Sequence, residues 1–149
     1  MGEQAGGHVN MSAAHRCVGS NIRRTDRVVT QFYDAILAPS GLYATQFGLL
    51  TLLLDAGSIT INQLAKVMET DRTTLTRNLA VLVKQGLVRN ESGADRRMRL
   101  VQLTPEGKAA IERAWPLWQE AQTRIERILG ADRVDALLAE LAALRATVK

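Results

Sequence analysis

Eight basic and four acidic side chains lie between Gly57 and Thr104, a surplus of +4 that equals the net charge of the whole 149-residue chain. The 11 basic and 11 acidic residues elsewhere cancel. The surplus is concentrated in the run Ala94-Asp95-Arg96-Arg97-Met98-Arg99. Arg96, Arg97 and Arg99 repel one another unless an anion lies among them. Phosphate is the natural partner of such a cluster, and a basic loop also suits the negative potential of an A·T-rich minor groove. Asp95, two residues before Arg97, can pair with it and fix its direction. Just upstream, Arg72, Thr73, Thr74, Thr76 and Arg77 surround the exposed face of a helix, a face that carries no large apolar group. Arginine can bond guanine in bidentate fashion or hold a phosphate. Threonine offers a hydroxyl, and a methyl for the thymine methyl group. A solvated polar face is the common fate of an isolated helix of this kind, and a soluble turn that of an isolated basic loop. The neighbouring elements argue otherwise.

Those elements read as helix, tight turn, helix and hairpin. Thr60 opens a helix, and Gln63 three residues on completes a capping box. Ile61, Leu64, Ala65 and Met68 form its apolar face, and Asn62 adds a polar group beside Thr60. Asp71 is the expected N-cap of the next helix, about 71–85, which buries Leu75, Leu79, Leu82 and Val83. Its first turn should offer free N–H groups to a phosphate. Gly86 stops it. Leu87-Val88-Arg89-Asn90 and Arg99 to Leu103 read as two strands of a hairpin spanning about 88–103, with Glu91 to Asp95 as the turn. This order presents one helix to a DNA major groove and a loop to the backbone beside it.

Long helices flank the region. One is expected from about Ser12 to Leu37, with Val18, Ile22, Thr25, Val29, Phe32 and Ile36 in a heptad-like stripe. It ends at Pro39-Ser40-Gly41. A second runs from about Thr45 to Leu54 and buries Phe47, Leu50, Leu53 and Leu54. Thr104 and Pro105, as N-cap and first helical residue, start another that continues to about Leu129, bent at Pro116. The last, Asp132 to Val148, carries Val134, Leu137, Leu141, Leu144 and Val148 in a coiled-coil-like stripe. The fold class is therefore mainly α with a small β-hairpin wing (α+β). The expected organisation is a flexible tail (1–11), a dimerisation helix (12–41), a winged helix-turn-helix domain (42–104) and C-terminal dimerisation helices (105–149). The terminal stripes have no second partner inside so short a chain, and a two-fold partner would cover them. Packing on each other in a monomer is the alternative.

Hydrophobic residues make up 46% of the chain, enough for a core, and the pI is about 9.7. Basic balance alone fits nucleic acid or an anionic membrane equally, but no apolar run reaches the length of a span. No signal-peptide pattern is read at the N-terminus, and a single cysteine suits a reducing compartment, so a cytoplasmic location is expected. No nucleophile–base pair, Gly-rich phosphate loop or paired carboxylate set stands out. Neither an enzyme nor a cofactor is expected. His15 with Cys17 is too sparse for a metal site, and His8 falls in the tail. Cys17 is expected as a buried helical cysteine rather than a redox sensor. Trp115 and Trp118, which bracket Pro116, either line a ligand pocket or belong to the core, as do Phe32 and Tyr33. For the tryptophans the balance leans toward the core.

Several of these segments together resemble the MarR family of bacterial transcription regulators. They are Asp71-Arg72-Thr73-Thr74-Leu75-Thr76-Arg77-Asn78-Leu79, Gly86-Leu87-Val88, Asp95-Arg96-Arg97 and Leu103-Thr104-Pro105-Glu106-Gly107. The likeness extends upstream to Arg23-Arg24 through Tyr33 and to Gly41-Leu42, and weakly into the last helices. The combination is specific where neither the helix nor the wing alone would be. The resemblance implies a winged-helix homodimer with the 71–85 helix in the major groove and Arg97 at the wing tip. It also implies a palindromic operator and release by small aromatic or anionic ligands. A ligand-responsive regulator, most often a repressor, is the resulting expectation. The alternatives are a redox-sensing regulator working through Cys17, a sequence-tolerant architectural DNA binder, and a protein-interaction module.

Overall fold

The structure is a computed structural model that describes residues 11–92 and 99–148. Its elements in chain order are α1 (Met11–Ala14), α2 (Val18–Leu37), α3 (Ala44–Ala56), β1 (Ser58–Thr60), α4 (Ile61–Val67), α5 (Arg72–Lys84), β2 (Val88–Ser92), β3 (Arg99–Leu103), α6 (Pro105–Leu129) and α7 (Ala131–Thr147). The three strands form an antiparallel sheet in the order β1-β3-β2.

The helix expected from Ser12 is interrupted before Val18. Asn21 explains the break: its side-chain amide donates to the carbonyls of His15 (3.1 Å) and Cys17 (2.9 Å). A side chain that captures backbone carbonyls offers the chain an alternative to the helical ladder. α2 ends as expected at a short 3-10 turn over Ala38–Ser40, and Gly41 takes a left-handed φ of 79°. α3 begins at Ala44, whose N–H donates to Asp34 Oδ1 of α2 (2.7 Å), while Gln46 Oε1 accepts from the Tyr43 N–H. This helix is apolar almost all round. Phe47, Leu49, Leu50 and Leu53 are buried, whereas Leu54, expected inside, is 49% exposed. A helix without a polar face gives no amphipathic signal to mark its inner side.

β1 was not anticipated, and it is the element that turns the hairpin into a sheet. Ser58, Ile59 and Thr60 pair with Gln102, Val101 and Leu100. Three residues between a glycine stop and a helix cap carry no alternation of their own, so this pairing rests on the partner strand. β2 also runs further than expected, to Ser92, which pairs with Arg99.

The core lies under the helix-turn-helix. Leu37, Phe47, Leu50, Leu53, Leu64, Leu75, Leu79 and Leu82 meet Val88, Val101, Leu103 and Ile111 in one cluster. Val83, expected among them, is 36% exposed. Burying a leucine contributes roughly 1.5–3 kcal/mol, so this cluster is the main holding force of the domain. No residue of α7 is buried in the single chain, and Val18, Ile22 and Val29 of α2 are exposed.

Thr104 joins the wing to α6. Its N–H donates to the Leu87 carbonyl (3.1 Å), and its hydroxyl donates to the Gly86 carbonyl (2.6 Å) and accepts from the Gly107 N–H (3.0 Å). Gly107 is buried, and a Cβ there would lie 2.1 Å from the Leu87 carbonyl oxygen. Only glycine lets α6 approach this closely. Gly107→Ala is expected to lower stability by about 1–3 kcal/mol, read as a shift in the urea midpoint at unchanged slope.

Candidate nucleic-acid interface

Each helix of the helix-turn-helix begins on a side-chain cap foreseen from sequence. Thr60 Oγ1 accepts from the Gln63 N–H (3.2 Å), and Gln63 Oε1 accepts from the Thr60 N–H (3.1 Å). Asp71 Oδ1 accepts from the Thr74 N–H (2.8 Å), and Oδ2 from the Thr74 hydroxyl (2.6 Å). The turn between them places Glu69 at a left-handed φ of 51°, a conformation that costs a non-glycine residue on the order of 1 kcal/mol. Its carboxylate lies 3.9 Å from Arg145 Nε of α7.

These caps sort the expected contact residues. The side chains of Arg72, Thr73 and Arg77 are exposed on α5 and have no hydrogen-bond or ion-pair partner among the described residues. Thr74 is held by Asp71, and the Thr76 hydroxyl donates to the Arg72 carbonyl (2.7 Å). Thr60 is occupied by its capping box, while Asn62 stands exposed on α4. The α5 N-terminus is less open to phosphate than its sequence suggests, because Asp71 has already taken the Thr74 N–H. Asn78, not singled out from sequence, is also exposed, one turn beyond Thr74. Its amide is suited to adenine, but a lone asparagine on a helix gives no signal in sequence.

On the sheet side, Arg99 is exposed at the start of β3. Arg89 is fastened to Glu91 (2.8 Å) and Gln102 (3.0 Å). Asp95, Arg96 and Arg97 lie outside the described residues.

A second feature lies between α2, α3 and α6. Tyr33, Ala44, Phe47, Gly48, Thr51, Trp115 and Trp118 line an open cleft of about 450 Å³. Trp115 and Trp118 stack at 4.9 Å with a 30° interplanar angle, and Phe47 stacks on Trp118 at 6.1 Å. The Tyr33 hydroxyl donates to Gln122 Oε1 (2.6 Å), and burial pushes its phenol above the ordinary value. Trp115 is 44% exposed, against the expectation of a core aromatic. Phe32 packs edge-on to Tyr33 but does not line the cleft. Cys17 is exposed at the start of α2, not buried within a helix, because the break at His15–Cys17 leaves it outside the core. Among the described residues no cluster of His, Cys, Asp or Glu could hold a metal, and no single helix is long and apolar enough to cross a membrane.

Comparison with known proteins decides what this geometry belongs to. A family model described as MarR family matches residues 40–98. The multiple antibiotic resistance protein MarR of Salmonella typhimurium is 34% identical over 117 residues, covering 77% of this chain and 78% of the relative. The chain belongs to the MarR family. Solved structures of MarR-type proteins agree. The transcriptional regulator MosR of M. tuberculosis in complex with DNA is 39% identical, with a TM-score of 0.77, over 89% of this chain and 99% of that one. A cysteine-to-serine mutant of E. coli MarR complexed with operator DNA is 31% identical, with a TM-score of 0.78, over 85% and 92%. The repressor CouR bound to a DNA duplex is 27% identical, with a TM-score of 0.81, over 92% and 98%. This MarR-family chain is a winged helix-turn-helix transcriptional regulator of the DNA-binding type, and its mainly helical fold with a small sheet is the one expected from sequence.

The Asp71 cap has a pH signature. Hydrogen bonds from the Thr74 hydroxyl and N–H hold its carboxyl below the ordinary value of 3.8. The folded state therefore prefers the carboxylate. Its contribution is complete above the ordinary value and is lost as pH falls through the lowered one. Asp71→Asn, which keeps a capping oxygen, should remove this acid-side dependence. Asp71→Ala should lower Tm at neutral pH, with the gap to the parent protein closing as pH drops below 3.8. Parallel Tm–pH curves for parent and alanine variant would remove the cap from α5.

Proposed function

We propose that this protein is a homodimeric, ligand-responsive repressor that occludes a palindromic operator. The observation that carries the DNA-contact assignment is the set of side chains on α5 without a partner among the described residues, Arg72, Thr73 and Arg77, on a helix fixed by its cap and by the Leu75–Leu79–Leu82 core. α5 enters the major groove, with Thr73 and Arg77 as base readers and Arg72 on phosphate. Thr74, Thr76 and Thr60 position the helices rather than touch bases, since their hydroxyls are engaged. Asn62 and Arg99 approach the flanking backbone. The wing reaches the minor groove through Arg96 and Arg97, with Asp95 orienting the latter. Arg77→Ala and Arg97→Ala should each weaken operator binding and reduce the salt slope by about one unit for each phosphate left without its cation. If Arg77 reads a base, its variant also relaxes preference at one operator position. Parental affinity and slope in a mobility-shift titration of either variant would dismiss that residue from the interface.

The dimer is supported by apolar surface that the single chain leaves in water. Leu137 and Leu138 of α7 are 48% and 58% exposed, and Val18, Ile22 and Val29 of α2 add to them. Segments 12–41 and 105–149 bury these faces against a two-fold partner, leaving 42–104 as the DNA-binding unit. Two such units then sit about one DNA turn apart, roughly 34 Å. Leu137→Glu should yield monomers in sedimentation equilibrium and lose operator affinity, with the protomer's helical circular dichroism retained. A dimer of parental strength would move the interface elsewhere. The effector is placed in the cleft of Tyr33, Trp115 and Trp118, where it favours a spacing of the two α5 helices that no longer matches successive grooves.

A further inference from the structure

Both helices of the helix-turn-helix end on the same backbone motif, but with different residues. At the close of α5, Gly86 takes a φ of 73°. Its N–H donates to the Val83 carbonyl (3.0 Å), and the Leu87 N–H donates to that of Leu82 (3.0 Å). At the close of α4, Glu69 takes a φ of 51°. Its N–H donates to the Lys66 carbonyl (3.2 Å), and the Thr70 N–H to that of Ala65 (3.0 Å). The left-handed residue of such a helix stop is ordinarily glycine, because a Cβ crowds the backbone there. Among the described residues Glu69 is the one non-glycine residue at positive φ. The backbone gives no reason for a glutamate at this turn, so the reason lies with its side chain.

That side chain reaches across the molecule. Its carboxylate lies 3.9 Å from Arg145 Nε, 76 positions further on in α7. The pair links parts that otherwise pack separately: α4 packs on α5 and on the sheet, whereas α7 packs on α6. The side chains of Arg145 and Glu69 are 59% and 40% exposed, and an ion pair so open to water adds little to folding stability. A small energy can still bias the angle between two parts without deciding whether either is folded. A glycine would relieve the turn and lose this link.

We propose that Glu69 and Arg145 are positioning residues, a strut that ties the turn between α4 and α5 to α7 and so sets the direction of α5. The proposal rests on the reading above that α7 lies in the dimer contact and α5 in the groove. Under that reading the strut controls the spacing of two recognition helices. The test titrates full-length Glu69→Gln, Arg145→Gln, the double variant and Glu69→Gly by mobility shift. One DNA is the full operator recovered by footprinting with the parent, and the other is a duplex carrying a single half-site. An exposed pair contributes roughly threefold, hence about tenfold in a dimer that holds two. Each single glutamine variant should bind the full operator about tenfold more weakly, with a much smaller change on the half-site. The double variant should be no weaker than either single one, since both substitutions remove the same link. Glu69→Gly should lose the same operator affinity while its Tm stays at or above the parental value, because the turn is relieved. A purely structural role would move Tm and affinity downward together. Additive losses in the double variant, equal losses on half-site and full operator, or parental operator affinity in Glu69→Gly would overturn the strut. So would a monomeric Arg145→Gln variant, which would put that side chain in the contact between copies. Sedimentation of the parent separates the two readings. A dimeric parent with additive losses rejects the strut and keeps the dimer. A monomeric parent, or one that binds full operator no better than half-site, rejects the dimer and the strut with it.

Discussion

Four chain segments converge on a single threonine. Thr104 bonds the Leu87 carbonyl with its N–H, and the Gly86 carbonyl and the Gly107 N–H with its hydroxyl. The end of α5, the root of β2, the last residue of β3 and the first turn of α6 are thereby held within one hydrogen-bond radius. The Leu87 carbonyl also forbids a side chain at Gly107, so α6 lies flush against the base of the wing. The wing cannot tilt relative to α5 without breaking these bonds or opening the Val88–Leu103 pair. A winged helix needs this constraint, because groove and backbone contacts must stay in register with each other.

Much of this was legible because it depends on local chemistry. Thr60 with Gln63, Asp71, and Thr104 with Pro105 each pair a capping side chain with residues at most three positions on, and a short stretch of sequence holds the whole interaction. The leucines of α4 and α5 follow from helical period for the same reason. The misses are non-local. β1 exists only through β3, whose Val101 lies between Ile59 and Asn90. Leu54 and Val83 were misplaced because burial near a helix end depends on which neighbour reaches that far. The break before α2 turns on Asn21 reaching back six residues, a longer span than capping patterns cover.

The candidate site divides along the same line. Residue types that could contact DNA were visible in the sequence, but which of them remain available was not. Thr74 and Thr76 match Thr73 in chemistry and differ from it only in where their hydroxyls are spent. The cleft was half visible. Trp115 and Trp118 announced aromatic surface beside a proline, while the residues of α3 that complete the cleft, Gly48 among them, lie some 67 residues earlier. Nothing in a helical glycine's local sequence says what faces it.

Among the described residues, α6 is the one element that packs against α2, α3, β3 and α7 alike, so it joins the cleft both to the wing and to the last helix. Pro116 lies within it between the two tryptophans and has no N–H to give the Glu112 carbonyl. The helix is therefore softest where a ligand wedged against α3 would press. Leu129 lies about 20 Å beyond Pro116 at the rise of an α-helix, so a tilt of about 5° there displaces it by roughly 2 Å. Under the proposed mechanism that end of α6 leads into the dimer contact, and a displacement of this size changes the spacing of two α5 helices that must match successive grooves. Reversing operator occupancy from 99:1 to 1:99 requires about 10⁴-fold discrimination by the ligand between the two arrangements. A small ligand supplies only part of that through its own contacts. A free protein already closer to the midpoint needs a smaller preference, and a helix weakened at its centre is a physical means of holding it there.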